Sequence, residues 1–188
     1  MDALLTALVA CFIGELGDRS QLLTLILADR FRSNRAIFGG IAIAAIANAA
    51  VSATAGSLIA PMLGTDARAL FLAMAIVAAG IGLVAPVRAP DPLTGWRIGA
   101  LPTSALGLFI LGFGNGPQFL AMGIAASSGA PIMAGVGTAL GTVLALLPAL
   151  ILGRDHLRGL PVVWIRRVSG VLLLLVGLWI GLRALGLA

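Results

Sequence analysis

The sequence has little charge, no lysine, no tyrosine and a single cysteine. Only 10% of its 188 residues are charged, compared with about 25% in an ordinary soluble domain. So few charges exclude a soluble globular domain, a disordered chain and a water-exposed basic surface. The net charge of +5 therefore does not indicate nucleic-acid binding, because the arginines lie in short connectors between apolar runs. The lone Cys11 excludes a disulfide scaffold.

The sequence is instead dominated by long apolar runs rich in glycine and alanine. Apolar residues make up 60% of the chain, and the mean hydropathy is +1.12. A helix needs about 20 apolar residues to cross a bilayer. We predict an all-α integral membrane protein with six transmembrane helices, over residues 3–28, 36–60, 69–87, 98–126, 131–152 and 163–186.

The arginines divide unequally between the two sides of the membrane. Arg19 lies within span one and is not counted. Of the other eleven, nine fall on one side, and two, Arg68 and Arg183, fall on the other. Because positive residues stay in the cytoplasm, both termini are expected outside it. Basicity from arginine alone, together with abundant alanine, suggests a GC-rich bacterial genome and hence an inner-membrane location. The side predicted to be cytoplasmic holds nine arginines: Arg30, Arg32, Arg35, Arg88, Arg97, Arg154, Arg158, Arg166 and Arg167.

The two halves of the chain share landmarks at a nearly constant spacing, which indicates duplication of a three-helix unit. We predict a first repeat over 1–90 and a second over 91–188. Three spans is an odd number, so the second repeat would enter the membrane inverted, as in many secondary transporters. Three glycine pairs mark the spacing, which is 97 residues for Gly17 and Gly114, 95 for Gly40 and Gly135, and 97 for Gly80 and Gly177.

Two carboxylates lie near the middle of the first span. Glu15 and Asp18 are predicted to project from the same face of this helix, because residues three apart are neighbours there. Ionisable groups at this depth usually mark ion or proton pathways. The alternative is a structural ion pair between Glu15 and Arg19, which stand four residues apart with the acid first.

The segment Glu15-Leu16-Gly17-Asp18-Arg19-Ser20-Gln21 resembles the Glu-x-Gly-Asp-(Lys/Arg)-(Ser/Thr) signature of the transmembrane protein 165 family. The resemblance covers the whole chain in length, span number and motif position. It implies two three-helix repeats and calcium/manganese–proton exchange, as in the cation/calcium exchanger superfamily.

The family usually repeats the acidic motif in span four, and here this chain departs from it. Gly112 and Asn115 stand in place of the two acids, and Gly116 stands in place of the basic residue. Only the glycine and the glutamine of the motif remain, as Gly114 and Gln118. This departure leaves the ion stoichiometry open.

We predict a cation site where spans one and four meet. Glu15 and Asp18 would supply anionic oxygens, and Asn115 and Gln118 neutral ones, a set that suits Mn²⁺, Ca²⁺ or Mg²⁺. Gly116-Pro117 would break span four and free backbone carbonyls. Supporting roles are expected for Gly17, Arg19, Ser20, Gln21, Gly114, Asn48 and Ser52.

Asn48 and Ser52 stand four residues apart on one face of span two, as Thr138 and Thr142 do in span five. The sequence leaves open whether each pair lines the ion cavity or forms interhelical hydrogen bonds. His156 lies in a connector, and no Cys–His cluster favours zinc or copper.

The expected function is exchange of a divalent cation for protons by alternating access, with export of the metal from the cytoplasm. Without metal, the paired carboxylates would take up protons, and a divalent ion would expel them. The resemblance places Mn²⁺ ahead of Ca²⁺. The transported ion and protons are the expected partners, with the lipid bilayer around them. No tightly bound cofactor is expected. The sequence leaves open whether the protein forms a homodimer.

Two other functions are compatible with the sequence. One is a small-solute exporter, and the other is a non-transporting membrane subunit in which Glu15 and Arg19 form a structural pair. An enzyme is not expected, since the spans hold no Ser–His pair and no His-Glu-x-x-His helix.

Overall fold

The computed structural model describes residues 2–158 and 161–187, without the side chains of 153–158 and 162. Within these ranges all regular structure is helical, which confirms the all-α membrane class. The helices are α1 (Asp2–Glu15), α2 (Arg19–Phe31), α3 (Asn34–Ile59), α4 (Thr65–Val84), α5 (Ala100–Gly112), α6 (Gly116–Ser128), α7 (Pro131–Arg158) and α8 (Val162–Ala184). A short 3₁₀ turn, Ala60–Met62, lies between α3 and α4.

Four of these helices, α3, α4, α7 and α8, are each long and apolar enough to cross a membrane. They correspond to predicted spans two, three, five and six. Helices α5 and α6 qualify together as a fifth span, bent by 69° at their junction. Helices α1 and α2 have 14 and 13 residues, and each is too short to span a bilayer alone. The count of six spans stays a prediction.

The first predicted span is not one helix, so the expectation that Glu15 and Asp18 share a helix face is wrong. Glu15 is the last residue of α1, and Asp18 caps the start of α2. Between them Gly17 adopts a left-handed backbone with φ of 72°, a conformation that glycine adopts readily because it lacks a Cβ. This conformation interrupts the helical hydrogen bonds and separates the two carboxylates.

The fourth predicted span is also broken, but a few residues earlier than Gly116-Pro117. The break falls at residues 113–115, where Gly114 has φ of 75°. Gly116 and Pro117 instead form the first turn of α6. Proline suits that position because its missing N–H would have no helical partner there.

The helices pack closely where small residues meet. Helix α1 lies on α7, both α5 and α6 lie on α3, and α4 lies on α8 and α6. At the crossing of α4 and α8, a Cβ on Gly80 would stand 2.9 Å from the carbonyl oxygen of Gly170. Such contact between backbones is typical of helix packing in membranes. The outer surface exposes large apolar side chains suited to lipid, among them Ile46, Leu58, Ile110, Ile151 and Leu175.

Candidate functional site: two helix breaks around a buried carboxylate

The two helix breaks face each other inside the bundle, where the segments predicted as spans one and four meet. A Cβ on Gly14, at the end of α1, would lie 3.3 Å from Cγ of Pro117 at the start of α6. The Asn115 side chain, at the N-cap of α6, reaches the carboxyl group of Glu15. The structure therefore brings the intact motif of the first half against the altered motif of the second half.

Glu15 lies at the centre of this meeting point and is only 4% exposed. The Ser20 and Asn115 side chains are the polar groups that approach its carboxyl group. Its Oε2 atom is buried and has no hydrogen-bond partner among the described residues. An unpartnered oxygen on a buried acid is costly, so this atom is available to a proton or a bound cation.

Two small cavities, each of about 20 Å³, adjoin Glu15. This volume is enough for about one water molecule or a bare ion. Both cavities are also lined by Ala45, Asn48, Gly112 and Thr142. One of them is completed by Ser20 and four apolar residues, Ile41, Ala44, Leu108 and Leu146. The other is completed by Ser52, Asn115, Pro117, Gln118 and Thr138.

Asp18 lies on the other side of the break and lines a larger cavity of about 340 Å³. Its side chain makes no capping hydrogen bond to α2. Asn115 and Pro117 line both this cavity and one of the small ones, so the start of α6 separates the two acids. The large cavity extends from the helix breaks to the end of α4, where it is lined by Gly82, Leu83, Ala85, Pro86 and Val87.

Arg19 does not neutralise Glu15. It is exposed and lines the large cavity beside Asp18, whereas Glu15 faces the small cavities. Within residues 2–158 and 161–187 no ion pair joins Arg19 to either acid, so the structural Glu15–Arg19 pair considered from the sequence is absent.

Gln21 and Gln118 play equivalent roles in holding the two breaks. The Gln21 Oε1 atom accepts a hydrogen bond from the Gly17 N–H at 2.9 Å, and the Gln118 Oε1 atom accepts one from the Gly114 N–H. The Gln21 amide also donates to the Ala145 carbonyl at 2.6 Å. Each side-chain oxygen therefore already binds the backbone, which leaves Gln118 one lone pair to offer a metal.

Asn48 combines the two roles that the sequence left open, since it lines both small cavities and bonds across helices, whereas Ser52 only lines a cavity. Asn48 bonds across helices, donating to the Phe109 carbonyl at 3.4 Å and accepting from the Gln118 amide at 3.5 Å. The Ser52 hydroxyl donates to the Asn48 carbonyl of its own helix at 2.9 Å. Ser52 thus makes no interhelical bond through that proton, while its oxygen borders a small cavity.

Sequence reasoning missed one residue of the large cavity, Arg166. It had been counted with the cytoplasmic connectors, yet it is only 8% exposed and lines the cavity that contains Asp18. Its guanidinium donates to the carbonyls of Gly82 and Ala85 at 2.5 and 2.6 Å. Its position inside the apolar segment predicted as span six, 163–186, is the feature of the sequence that could have indicated its burial.

A bundle of membrane-spanning helices with a buried, incompletely bonded carboxylate between two helix breaks belongs to the class of integral membrane transporters. The sequence profile described as the divalent cation/proton antiporter GDT1 matches residues 3–91 and 100–187. The chain therefore belongs to the GDT1 family, which confirms the resemblance to the transmembrane protein 165 family. It is a multi-pass transporter of divalent cations and not an enzyme.

A curated relative supports the same family. The protein named "Putative manganese exporter" from Vibrio cholerae serotype O1 is 30% identical over 184 residues, which cover 95% of this chain and 90% of the relative. No solved structure matches the chain.

Proposed function

We propose that this protein exports Mn²⁺ from the cytoplasm in exchange for protons, by alternating access, with Ca²⁺ as the next candidate ion. The observation that carries the proposal is the buried Oε2 atom of Glu15, which has no hydrogen-bond partner in the described chain and borders cavities of ionic size. The family description and the name of the Vibrio relative support a divalent cation and manganese in particular.

The ligand set consists of oxygen donors from both helix breaks. Glu15 and Asp18 supply the charged oxygens, and Asn115 and Gln118 supply amide oxygens. Mn²⁺, Ca²⁺ and Mg²⁺ all accept such hard ligands. No cluster of three or more His, Cys, Asp or Glu side chains occurs in the described residues, so at each stage one carboxylate, together with neutral oxygens and water, would have to complete the shell.

The two acids act in sequence because they face different cavities. A hydrated ion enters the large cavity and meets Asp18 first. It then passes the start of α6 at Asn115 and loses water as it reaches Glu15, where the adjoining cavities hold about one water each. Asn115 borders both spaces and can contact the ion throughout this transfer.

Proton exchange follows from the dryness of the Glu15 site. A lone buried carboxylate is unfavourable, and either a proton or a metal ion removes the unbalanced charge. Metal arriving from one side would therefore release the proton, and a proton arriving from the other side would release the metal. The chain would return across the membrane only in one of these two loaded states.

The proposal includes a bacterial inner-membrane location and two inverted repeats, residues 1–90 and 91–188. Both helix breaks have the same backbone conformation 97 residues apart, and the family profile matches in two stretches. The large cavity leads to the end of α4 and the start of α8, the side with most of the arginines. By the positive-inside rule, this conformation is open to the cytoplasm.

The test is transport by purified protein in proteoliposomes that contain a pH-sensitive dye. Mn²⁺, Ca²⁺ or Mg²⁺ is added outside, and proton movement is followed for wild type, Glu15→Gln and Asp18→Asn. We expect Mn²⁺-driven proton movement in wild type and its loss in Glu15→Gln. Asp66→Asn, which removes an exposed acid in the first turn of α4, is the matched control. Unchanged proton movement in both site variants would overturn the proposed site.

A further inference from the structure

The large cavity contains a buried positive charge at a position that the family motif does not include. Arg166, near the start of α8, donates two hydrogen bonds to carbonyls in the last turn of α4, those of Gly82 and Ala85. Carbonyls at a helix C-terminus carry partial negative charge and attract cations. The side chain is therefore fixed at this end of the cavity.

These two bonds do not use all the donors of Arg166. Its Nε atom is buried and has no hydrogen-bond partner among the described residues. The guanidinium and the Asp18 carboxylate line the same cavity and attract each other electrostatically. They form no direct ion pair within the described chain, which leaves space between them for water or an ion.

We propose that Arg166 is a fixed counter-charge for Asp18 and sets the affinity of the open site for divalent metal. This inference rests on the proposed function. In the metal-free protein the guanidinium partly balances the Asp18 carboxylate across the cavity. An entering divalent cation meets the same positive charge and is repelled, so metal binds more weakly than it would to the two acids alone. Arg166 is a positioning residue and not a ligand, since it acts by its charge, both on the Asp18 carboxylate and on the entering cation.

Weaker binding has a direct consequence for an exporter. A site that holds Mn²⁺ too tightly would trap the ion, whereas moderate affinity allows its release and transports the ion only when it is abundant. The second motif has lost its acids, and the counter-charge from α8 further reduces the net negative charge at the site.

The test compares two neutral variants, Arg166→Gln and Arg166→Met, with Arg166→Lys, which keeps the charge. Arg167→Gln is the matched control, because Arg167 is the next residue of α8 but is exposed and does not line the cavity. Mn²⁺ binding to detergent-purified protein is measured by calorimetry, and Mn²⁺ flux is measured in proteoliposomes.

We expect the neutral variants to bind Mn²⁺ about tenfold more tightly, which is about 1.4 kcal/mol. Arg166→Lys and Arg167→Gln should bind like wild type. In an Asp18→Asn background, Arg166→Gln should change the affinity less, because only the direct repulsion between the guanidinium and the metal is then removed. A purely structural role predicts instead that Arg166→Lys loses flux like the neutral variants, with the affinity unchanged.

Neutral variants that bind Mn²⁺ with wild-type affinity would overturn the inference, as would failure of both neutral variants to fold. Wild-type protein that binds Mn²⁺ but moves none would contradict the proposed function and leave the affinity comparison intact.

Discussion

Gly17 and Gly114 have almost the same left-handed backbone, with φ of 72° and 75°. The residues that follow them, Asp18 and Asn115, are both extended, with φ of −81° and −80°. Two segments 97 residues apart thus form the same helix break, although one contains acids and the other does not. The shape of the site depends on the glycines, and its charge depends on residues that differ between the halves.

Because this backbone is strained for other residues, we expect Gly17→Ala and Gly114→Ala each to lower the free energy of unfolding by about 1–2 kcal/mol. Thermal denaturation in detergent, followed by helical circular dichroism, measures the change. Gly95→Ala is the control, since Gly95 does not have positive φ and a Cβ there would meet no atom within 4 Å. Equal stability of all three variants would contradict the role of left-handed glycine at the breaks.

Gln21→Leu should destabilise the protein more than Gln118→Leu. The first change leaves the partly buried Gly17 N–H without its partner, at about 1–3 kcal/mol, and also removes the tie between α2 and the Ala145 carbonyl of α7. Gln118 is less buried, and its amide bond to Asn48 is long, at 3.5 Å. The same denaturation experiment ranks the two variants, and the reverse order would argue against the assignment of these bonds.

The sequence predicted the unbroken helices well and the broken ones less well. Helices α3, α4, α7 and α8 come from apolar runs that have no other stable conformation in a bilayer. The break in the first span was not predicted, because Glu15 and Asp18 have ordinary helical spacing and only the backbone reveals the turn at Gly17. In span four the Gly116-Pro117 pair correctly predicted a helix break, but the break lies a few residues earlier. The pair begins α6, because proline is well suited to the first turn of a helix.

The unpredicted break also changes how the two acids are arranged. The motif identified Glu15 and Asp18, but the helix break sends them to different cavities. Arg166 could not be distinguished from an arginine at the membrane surface, because its burial depends on α8 packing against the end of α4. The spacing of residues within one segment does not reveal such contacts between distant segments.

Asn115→Asp tests whether the second motif can regain charge. The new carboxylate would lie beside Glu15 and border both the large cavity and a small one, so it should increase Mn²⁺ affinity by about tenfold, since ligand charge tunes such sites. Calorimetric titration measures the affinity. Asn34→Asp adds the same charge at the exposed start of α3 and should have no effect. Weaker Mn²⁺ binding by Asn115→Asp would show that Asn115 is not a ligand.

The other lost acid should be harder to restore. A Cβ on Gly112 would stand 2.5 Å from the Asn48 Nδ2 atom, so Gly112→Glu would displace that amide and its bond to Gln118. We expect Gly112→Glu alone to abolish Mn²⁺ flux in proteoliposomes, and Gly112→Glu combined with Asn48→Ala to recover part of it. Full flux in the single variant would mean that Asn48 moves aside without consequence.

Mn²⁺ should stabilise the folded protein through Glu15. A ligand that binds only the native state at 100 times its dissociation constant stabilises that state by about 2.7 kcal/mol. The thermal midpoint should therefore rise with Mn²⁺ concentration in wild type and in Asp66→Asn. It should stay constant in Glu15→Gln, where the neutral amide cannot balance a divalent charge. An equal rise in Glu15→Gln would place the bound ion elsewhere, because a cation held by surface acids or by Asp18 alone would not require the buried oxygen.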